Sequence, residues 1–91
     1  MSIEIREKGS VMAKKLDLYY YPECPYCQRV LRAIDANGYE GITLKNIHAD
    51  AEADETLVRV GGKHQVPCLF IDGKPMYESL DIIDWLAREF A

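Results

Sequence analysis

Two cysteines separated by two residues are the strongest chemical signal in the sequence. Cys24 and Cys27 enclose Pro25 and Tyr26, and an apolar pattern at helical spacing follows from Gln28 to Asn37. Pro25 suits the first position of a helix, where a missing N–H costs nothing. Cys24 is then the predicted N-cap residue, with the amides of Tyr26 and Cys27 directed at its sulfur. Those amides and the helix dipole would stabilise a thiolate, which makes Cys24 the predicted nucleophile.

The second cysteine has a predicted role of its own. Cys27 lies one helical turn beyond Cys24, where it is placed to attack a mixed disulfide on Cys24 and resolve it. Two other interpretations of the pair stay open. One is half of a zinc site, which His64 and Cys68 would complete as a Cys3His set, and the other is a purely structural pair. The strand–CPxC–helix context favours redox chemistry, because zinc knuckles usually place both cysteines in a turn.

Composition narrows the class of protein further. The 91 residues suffice for one small domain, and 48% apolar residues are typical of a globular chain. A net charge of −4 without a Lys/Arg cluster argues against binding to nucleic acid or to an anionic membrane surface. The sequence shows no apolar run of membrane-spanning length and no signal-peptide pattern, and three cysteines are an odd count for a secreted disulfide framework. We therefore expect a cytoplasmic monomer.

Strand and helix patterns alternate along the chain. Residues 1–13 are mixed and polar and are predicted to form a flexible leader, so the domain is expected over residues 14–91. The predicted strands are Leu16–Tyr21, Ile42–Ile47, Val66–Ile71 and Lys74–Tyr77. The first predicted helix follows Cys24, and the second spans Asp50–Val60. The third begins with Ser79 as its N-cap, and its predicted buried face contains Ile82, Ile83, Leu86 and Phe90. The order β-α-β-α-β-β-α predicts an α/β fold, with a four-stranded mixed sheet and about three helices on both faces.

At this point the residues resemble a glutaredoxin of the dithiol type, over about Lys15 to Phe90. The resemblance rests on the CPYC sequence after a strand, on Val66-Pro67 opening a later strand, and on a polar helix start near Ser79. It implies a thioredoxin-like fold and a glutathione-dependent enzyme that reduces glutathione mixed disulfides and protein disulfides. The implied partners are glutathione, as reductant, and glutathionylated or disulfide-bonded proteins. No metal cofactor is expected.

The resemblance also implies which residues hold glutathione. Val66 would pair its backbone with the cysteinyl part of glutathione, and Pro67 would follow a cis peptide bond. The whole implied binding set is Tyr26, Gln65, Val66, Pro67, Glu78, Ser79 and Leu80.

The sequence departs from the usual glutaredoxin pattern at two places. Tyr21 stands where many glutaredoxins have a lysine, and Tyr77-Glu78-Ser79-Leu80 replaces their Gly-Gly-Cys-Asp ending. Glu-Ser at that place is similar to the N-terminal domain of glutathione transferases, where it holds the γ-glutamyl group. Such transferases need a second, helical domain, which this sequence does not show, so we expect the single-domain redox function. The alternatives are a thioredoxin-like reductase fed by a flavoprotein and a module that binds zinc or an iron–sulfur cluster.

Overall fold

The elements follow the predicted order. The computed structural model describes residues 14–91, so the predicted leader, residues 1–13, lies outside the described residues. The elements are β1 (Leu16–Tyr20), α1 (Pro25–Asn37), β2 (Ile42–Asn46), α2 (Ala51–Gly61), β3 (Cys68–Ile71), β4 (Lys74–Met76) and α3 (Ser79–Glu89). Within residues 14–91, no helix combines the length and the apolar character that a membrane span requires.

The four strands form one mixed sheet in the order β2-β1-β3-β4. β1 pairs in parallel with β2 and antiparallel with β3, and β3 pairs antiparallel with β4. This confirms the predicted α/β fold. β3 begins at Cys68 and not at the predicted Val66, because Pro67 has no N–H to donate to the ladder.

Side chains of β1 alternate between the two faces of the sheet, and helices cover both. Leu16 and Leu18 pack with residues of α1 and α3, whereas Tyr19 packs with residues of α2. The first cluster contains Leu16, Leu18, Val30, Leu69, Ile82 and Leu86; the second contains Tyr19, Ile47, Ala53, Leu57, Cys68 and Phe70. The sheet is therefore the middle layer of three, with α1 and α3 on one side and α2 on the other.

The C-terminal end of α3 differs from the predicted buried face. Ile82 and Leu86 are fully buried as predicted, but Phe90 is 39% exposed. The reason is that α3 ends at Glu89, so Phe90 leaves the helical face. Its ring stacks on Tyr39, with 4.7 Å between the ring centroids.

The N-terminal end of α3 also begins one residue earlier than the cap prediction required. The first helical hydrogen bond runs from the amide of Ile82 to the carbonyl of Glu78, at 3.0 Å. Glu78 is therefore the N-cap residue and Ser79 is the first helical residue, so the prediction that Ser79 caps α3 was wrong. Glu78 has a φ of 72° and its side chain makes no capping hydrogen bond.

Candidate active site

Cys24 occupies the N-cap position of α1, as predicted. Its backbone is extended, with φ −76° and ψ 119°, and its Sγ accepts a hydrogen bond from the Cys27 amide at 3.2 Å. The Tyr26 amide, the other predicted donor, does not bond to this sulfur within residues 14–91. An N-cap side chain reaches the second or the third helical amide, and here it reaches the third. The sulfur of Cys24 thus faces the positive end of α1.

Both cysteines of the pair are buried free thiols, with Cys24 4% and Cys27 0% exposed. Burial raises the pKa of the Cys27 thiol to about 12, with smaller contributions from its hydrogen bond to Cys24 and from the charge on Cys24. A backbone hydrogen bond from Tyr21 acts in the opposite direction on that pKa. Cys27 is therefore held as a neutral thiol at pH 7.

A cleft of about 570 Å³ lies between α1, the loop before β3, and the start of α3. The structure brings the whole implied binding set to its walls: Tyr26, Gln65, Val66, Pro67, Glu78, Ser79 and Leu80. The Val66-Pro67 peptide bond is cis, as the resemblance implied. One wall of the cleft contains residues 65–67, and the other contains residues 78–81. Tyr26, which lies between the two cysteines in sequence, also lines the cleft.

Two charged residues of the cleft were missed by sequence reasoning. Arg29 on α1 and Asp81 on α3 both line it. Arg29 lies three residues beyond Tyr26, and its guanidinium carbon is 5.8 Å from the centroid of the Tyr26 ring. Because positions three apart are neighbours on a helix surface, that spacing was the signal available in the sequence. No comparable signal marked Asp81, since its place depends on how α3 packs.

Charge and polarity in this cleft are mixed. Arg29 supplies a positive group and Glu78 and Asp81 supply negative ones. With Glu78 as the N-cap, the amides of Ser79, Leu80 and Asp81 have no acceptor within α3 and lie at the positive end of its dipole. Tyr26 and Leu80 add apolar surface, at 60% and 65% exposure. Such a cleft suits a small peptide-like ligand that carries charges of both signs.

The residues considered for zinc have other surroundings. The His64 ring is 2.6 Å from the carboxylate of Asp54, and Cys68 is fully buried in the cluster on the α2 side of the sheet. Burial raises the pKa of the Cys68 thiol to about 11. Among residues 14–91, no three His, Cys, Asp or Glu side chains are grouped as a metal ion would need. The Cys3His set of the alternative interpretation is therefore not assembled among these residues.

Comparison with known proteins agrees with this architecture. Residues 18–91 match the family described as glutathione S-transferase, N-terminal domain. The chain belongs to this family. This chain has a thioredoxin-like α/β fold, with a cysteine pair at the start of α1.

The proteins to which this chain is similar include both glutaredoxins and glutathione transferases. The chain is 34% identical over 62 residues to a probable glutaredoxin of Synechocystis sp., covering 67% of this chain and 69% of that protein. It superposes on glutathione transferase Omega 3C from Trametes versicolor with a TM-score of 0.71 and 28% identity, covering 84% of this chain and 34% of the transferase. It superposes on oxidized glutaredoxin 2 from Chlamydomonas reinhardtii with a TM-score of 0.60 and 25% identity, covering 84% and 74%. The chain thus spans about a third of the transferase and is a distant homologue of the glutaredoxins.

Proposed function

We propose that this protein is a glutathione-dependent thiol–disulfide oxidoreductase that reduces glutathione mixed disulfides and protein disulfides. The observation that carries the proposal is the cleft that Tyr26, from within the cysteine pair, lines together with residues 65–67 and 78–81. The similarity to a probable glutaredoxin and the match to a glutathione transferase domain support it. A reducing compartment such as the cytoplasm would supply the glutathione.

The charges of the cleft complement those of glutathione, which has one ammonium group and two carboxylates. The free amides at the start of α3, with the Ser79 hydroxyl, are assigned to the γ-glutamyl carboxylate, because a helix N-terminus binds anions. Glu78 is assigned to the ammonium group and Arg29 to the second carboxylate. The backbone of Val66 is assigned to the cysteinyl part. The cleft volume of about 570 Å³ lies within the range of about 300–1,000 Å³ for small-molecule sites.

The reaction then proceeds by two thiol–disulfide exchanges. The Cys24 thiolate attacks the glutathione sulfur of a mixed disulfide, forms a Cys24–glutathione disulfide, and releases the substrate as a thiolate that takes up a proton. A second glutathione thiolate attacks the glutathione sulfur of that intermediate, which releases glutathione disulfide and restores the Cys24 thiolate. With a protein disulfide, the Cys24 thiolate attacks one sulfur and expels the other as a thiolate that takes up a proton. Cys27 loses its proton and attacks the Cys24 sulfur of this mixed disulfide, which releases the second thiol of the substrate. Two glutathione molecules then reduce the resulting Cys24–Cys27 disulfide and leave as glutathione disulfide.

The burial of Cys27 favours the first of these routes. Only a thiolate attacks a disulfide, and burial, the largest cause of its raised pKa of about 12, remains when Cys24 forms a mixed disulfide. Free glutathione reaches the intermediate from solvent without that penalty. We therefore expect reduction of glutathione mixed disulfides to be faster than reduction of protein disulfides.

Turnover of a small glutathione mixed disulfide, coupled to glutathione reductase and NADPH, tests this function. Wild type is expected to turn over, and Cys24→Ser to lose turnover completely because it removes the nucleophile. The matched variant Cys27→Ser is expected to keep this activity and to lose reduction of a protein disulfide. Equal loss in both variants would contradict the assigned roles.

The alternative functions have distinct outcomes in the same preparation. Turnover with thioredoxin reductase and NADPH, and none with glutathione, would replace the proposal by a flavoprotein-fed reductase. Stoichiometric zinc, or the brown colour of an iron–sulfur cluster, would indicate a metal-binding module.

A further inference from the structure

Tyr77 connects the two walls of the cleft, although it does not line the cleft itself. It directly precedes Glu78 and Ser79, which belong to one wall. Its hydroxyl donates a hydrogen bond to the carbonyl of Lys63, at 3.3 Å. Lys63 lies in the loop between α2 and β3, the loop that carries residues 65–67 of the opposite wall. The Tyr77 hydrogen bond therefore joins the residue before one wall to the loop that carries the other wall.

The Tyr77 side chain also packs beside the far end of that loop. Cys68, the first residue after Pro67, belongs to the buried cluster against which the Tyr77 side chain packs. Lys63 Nζ lies over the Tyr77 ring, 5.3 Å from its centroid. Tyr77 is thus bonded to residue 63, near the beginning of the loop, and packs against the cluster that contains residue 68, just after its end.

The end of α2 is shaped to admit this hydroxyl. A Cβ atom at Gly61 would lie 2.6 Å from the hydroxyl oxygen of Tyr77 and 3.4 Å from the ring of Phe70. An oxygen–carbon separation of 2.6 Å is well inside van der Waals contact, so any larger residue at position 61 would displace the Tyr77 side chain. Gly61 is therefore needed for the position of Tyr77.

We propose that Tyr77 is a positioning residue that holds residues 65–67 and 78–81 at the separation that glutathione binding requires. This inference rests on the proposed function. Val66 and the start of α3 grip different parts of one ligand, so a change in their separation weakens binding without touching the cysteine pair. The glutathione KM then depends on a hydroxyl that contacts neither the ligand nor the reacting sulfur atoms.

Steady-state kinetics of Tyr77→Phe test the role, because the substitution removes the hydroxyl and keeps the ring. The KM for glutathione is expected to rise about two- to tenfold, the range for one lost hydrogen bond, with kcat unchanged. Gly61→Ala is expected to raise KM in the same way by displacing the hydroxyl. The double variant is expected to show no further rise, since the two substitutions disrupt one contact. If the KM of the double variant rises by the product of the two single increases, the two substitutions do not act through one contact.

Hydrogen exchange provides a readout that does not involve glutathione. Peptides covering residues 62–67 are expected to exchange faster in Tyr77→Phe than in wild type, with α1 unchanged. Tyr39→Phe is the matched control, because Tyr39 stacks on Phe90 outside the walls of the cleft. That variant is expected to leave both KM and the exchange of residues 62–67 unchanged.

The outcomes separate this inference from the proposed function. If wild type shows no turnover with glutathione, the proposed function fails and the role of Tyr77 in binding glutathione fails with it. If wild type turns over but Tyr77→Phe only lowers Tm, with KM and loop exchange unchanged, Tyr77 is a core residue and the proposed function stands. A higher KM that is reproduced by Tyr39→Phe would also overturn the positioning role.

Discussion

Ser79 is 7% exposed and lies in the wall of the cleft, in the first turn of α3. Because Glu78 holds the N-cap position and makes no side-chain cap bond, the Ser79 hydroxyl carries no capping function. Its replacement should therefore not incur the roughly 0.5–2 kcal/mol of stability that a lost N-cap costs. A substitution of Ser79 can therefore test ligand binding without removing a helix cap.

Substitution of Ser79 tests the assigned carboxylate site. Ser79→Ala is expected to raise the KM for glutathione about tenfold or more, as for the loss of a hydrogen bond to a charged group, with little change in kcat or Tm. Ser79→Asp is expected to raise KM further by charge repulsion, while the helix dipole tolerates an acidic residue in its first turn. Coupled-assay kinetics and thermal unfolding measure both effects. Unchanged glutathione affinity in the two variants would remove Ser79 from the binding site.

The backbone is strained at the start of α3. Glu78 has a φ of 72°, a conformation that side-chain-bearing residues rarely adopt and that costs roughly 1–3 kcal/mol. The turn is held in place because Tyr77 is anchored on one side of it and Ile82 and Leu86 are buried on the other. This conformation brings Glu78, Ser79 and Leu80 together to the cleft.

Glycine at position 78 should relieve this strain. Glu78→Gly is expected to raise the free energy of unfolding by about 1 kcal/mol, after the entropy cost of glycine is subtracted. Its KM for glutathione should rise, because the group assigned to the ammonium is lost. Glu78→Gln is the control, since it removes the charge and keeps the side chain; KM should rise with stability unchanged. Chemical denaturation compares the three proteins, and a destabilised Glu78→Gly would contradict the strain.

Two fully buried thiols make the stability of the whole molecule sensitive to high pH. Cys27 on α1 and Cys68 on β3 are both 0% exposed, and burial raises their pKa values from 9.0 to about 12 and about 11. Above pH 9 the unfolded chain loses these protons while the folded chain keeps them. The folded state then binds more protons, so the free energy of unfolding falls as pH rises.

Denaturation of the reduced protein between pH 8 and 11 checks this dependence. The contribution is fully present below about pH 9 and should be lost above it, by up to about 1.4 kcal/mol per pH unit for each thiol. In Cys68→Ala, the free energy of unfolding is expected to fall less steeply with pH. Oxidation of Cys24 and Cys27 to a disulfide should remove the contribution of Cys27 to this pH dependence. The same slope in wild type and Cys68→Ala would show that Cys68 ionises as readily as in the unfolded chain.

The order of elements and the position of Cys24 at the start of α1 were determined by the sequence alone. These features depend on neighbouring residues: the period of apolar side chains, Pro25 at the first helical position, and glycines after α1 and within the β3–β4 turn. The residues of the implied binding set all line one cleft, because each of their motifs lies at the beginning of a predicted strand or helix. Such local signals are readable without knowing how the elements pack.

Only the tertiary structure decided which other residues complete the cleft. Asp81 joins its wall because α3 packs across the sheet, and Glu78 replaces Ser79 as the N-cap because the turn before α3 takes a positive φ. The bond from Tyr77 to Lys63 and the room that Gly61 leaves for it join segments that are apart in sequence. Contacts of this kind depend on the separation and orientation of packed elements, and no periodicity or short motif in the chain encodes them.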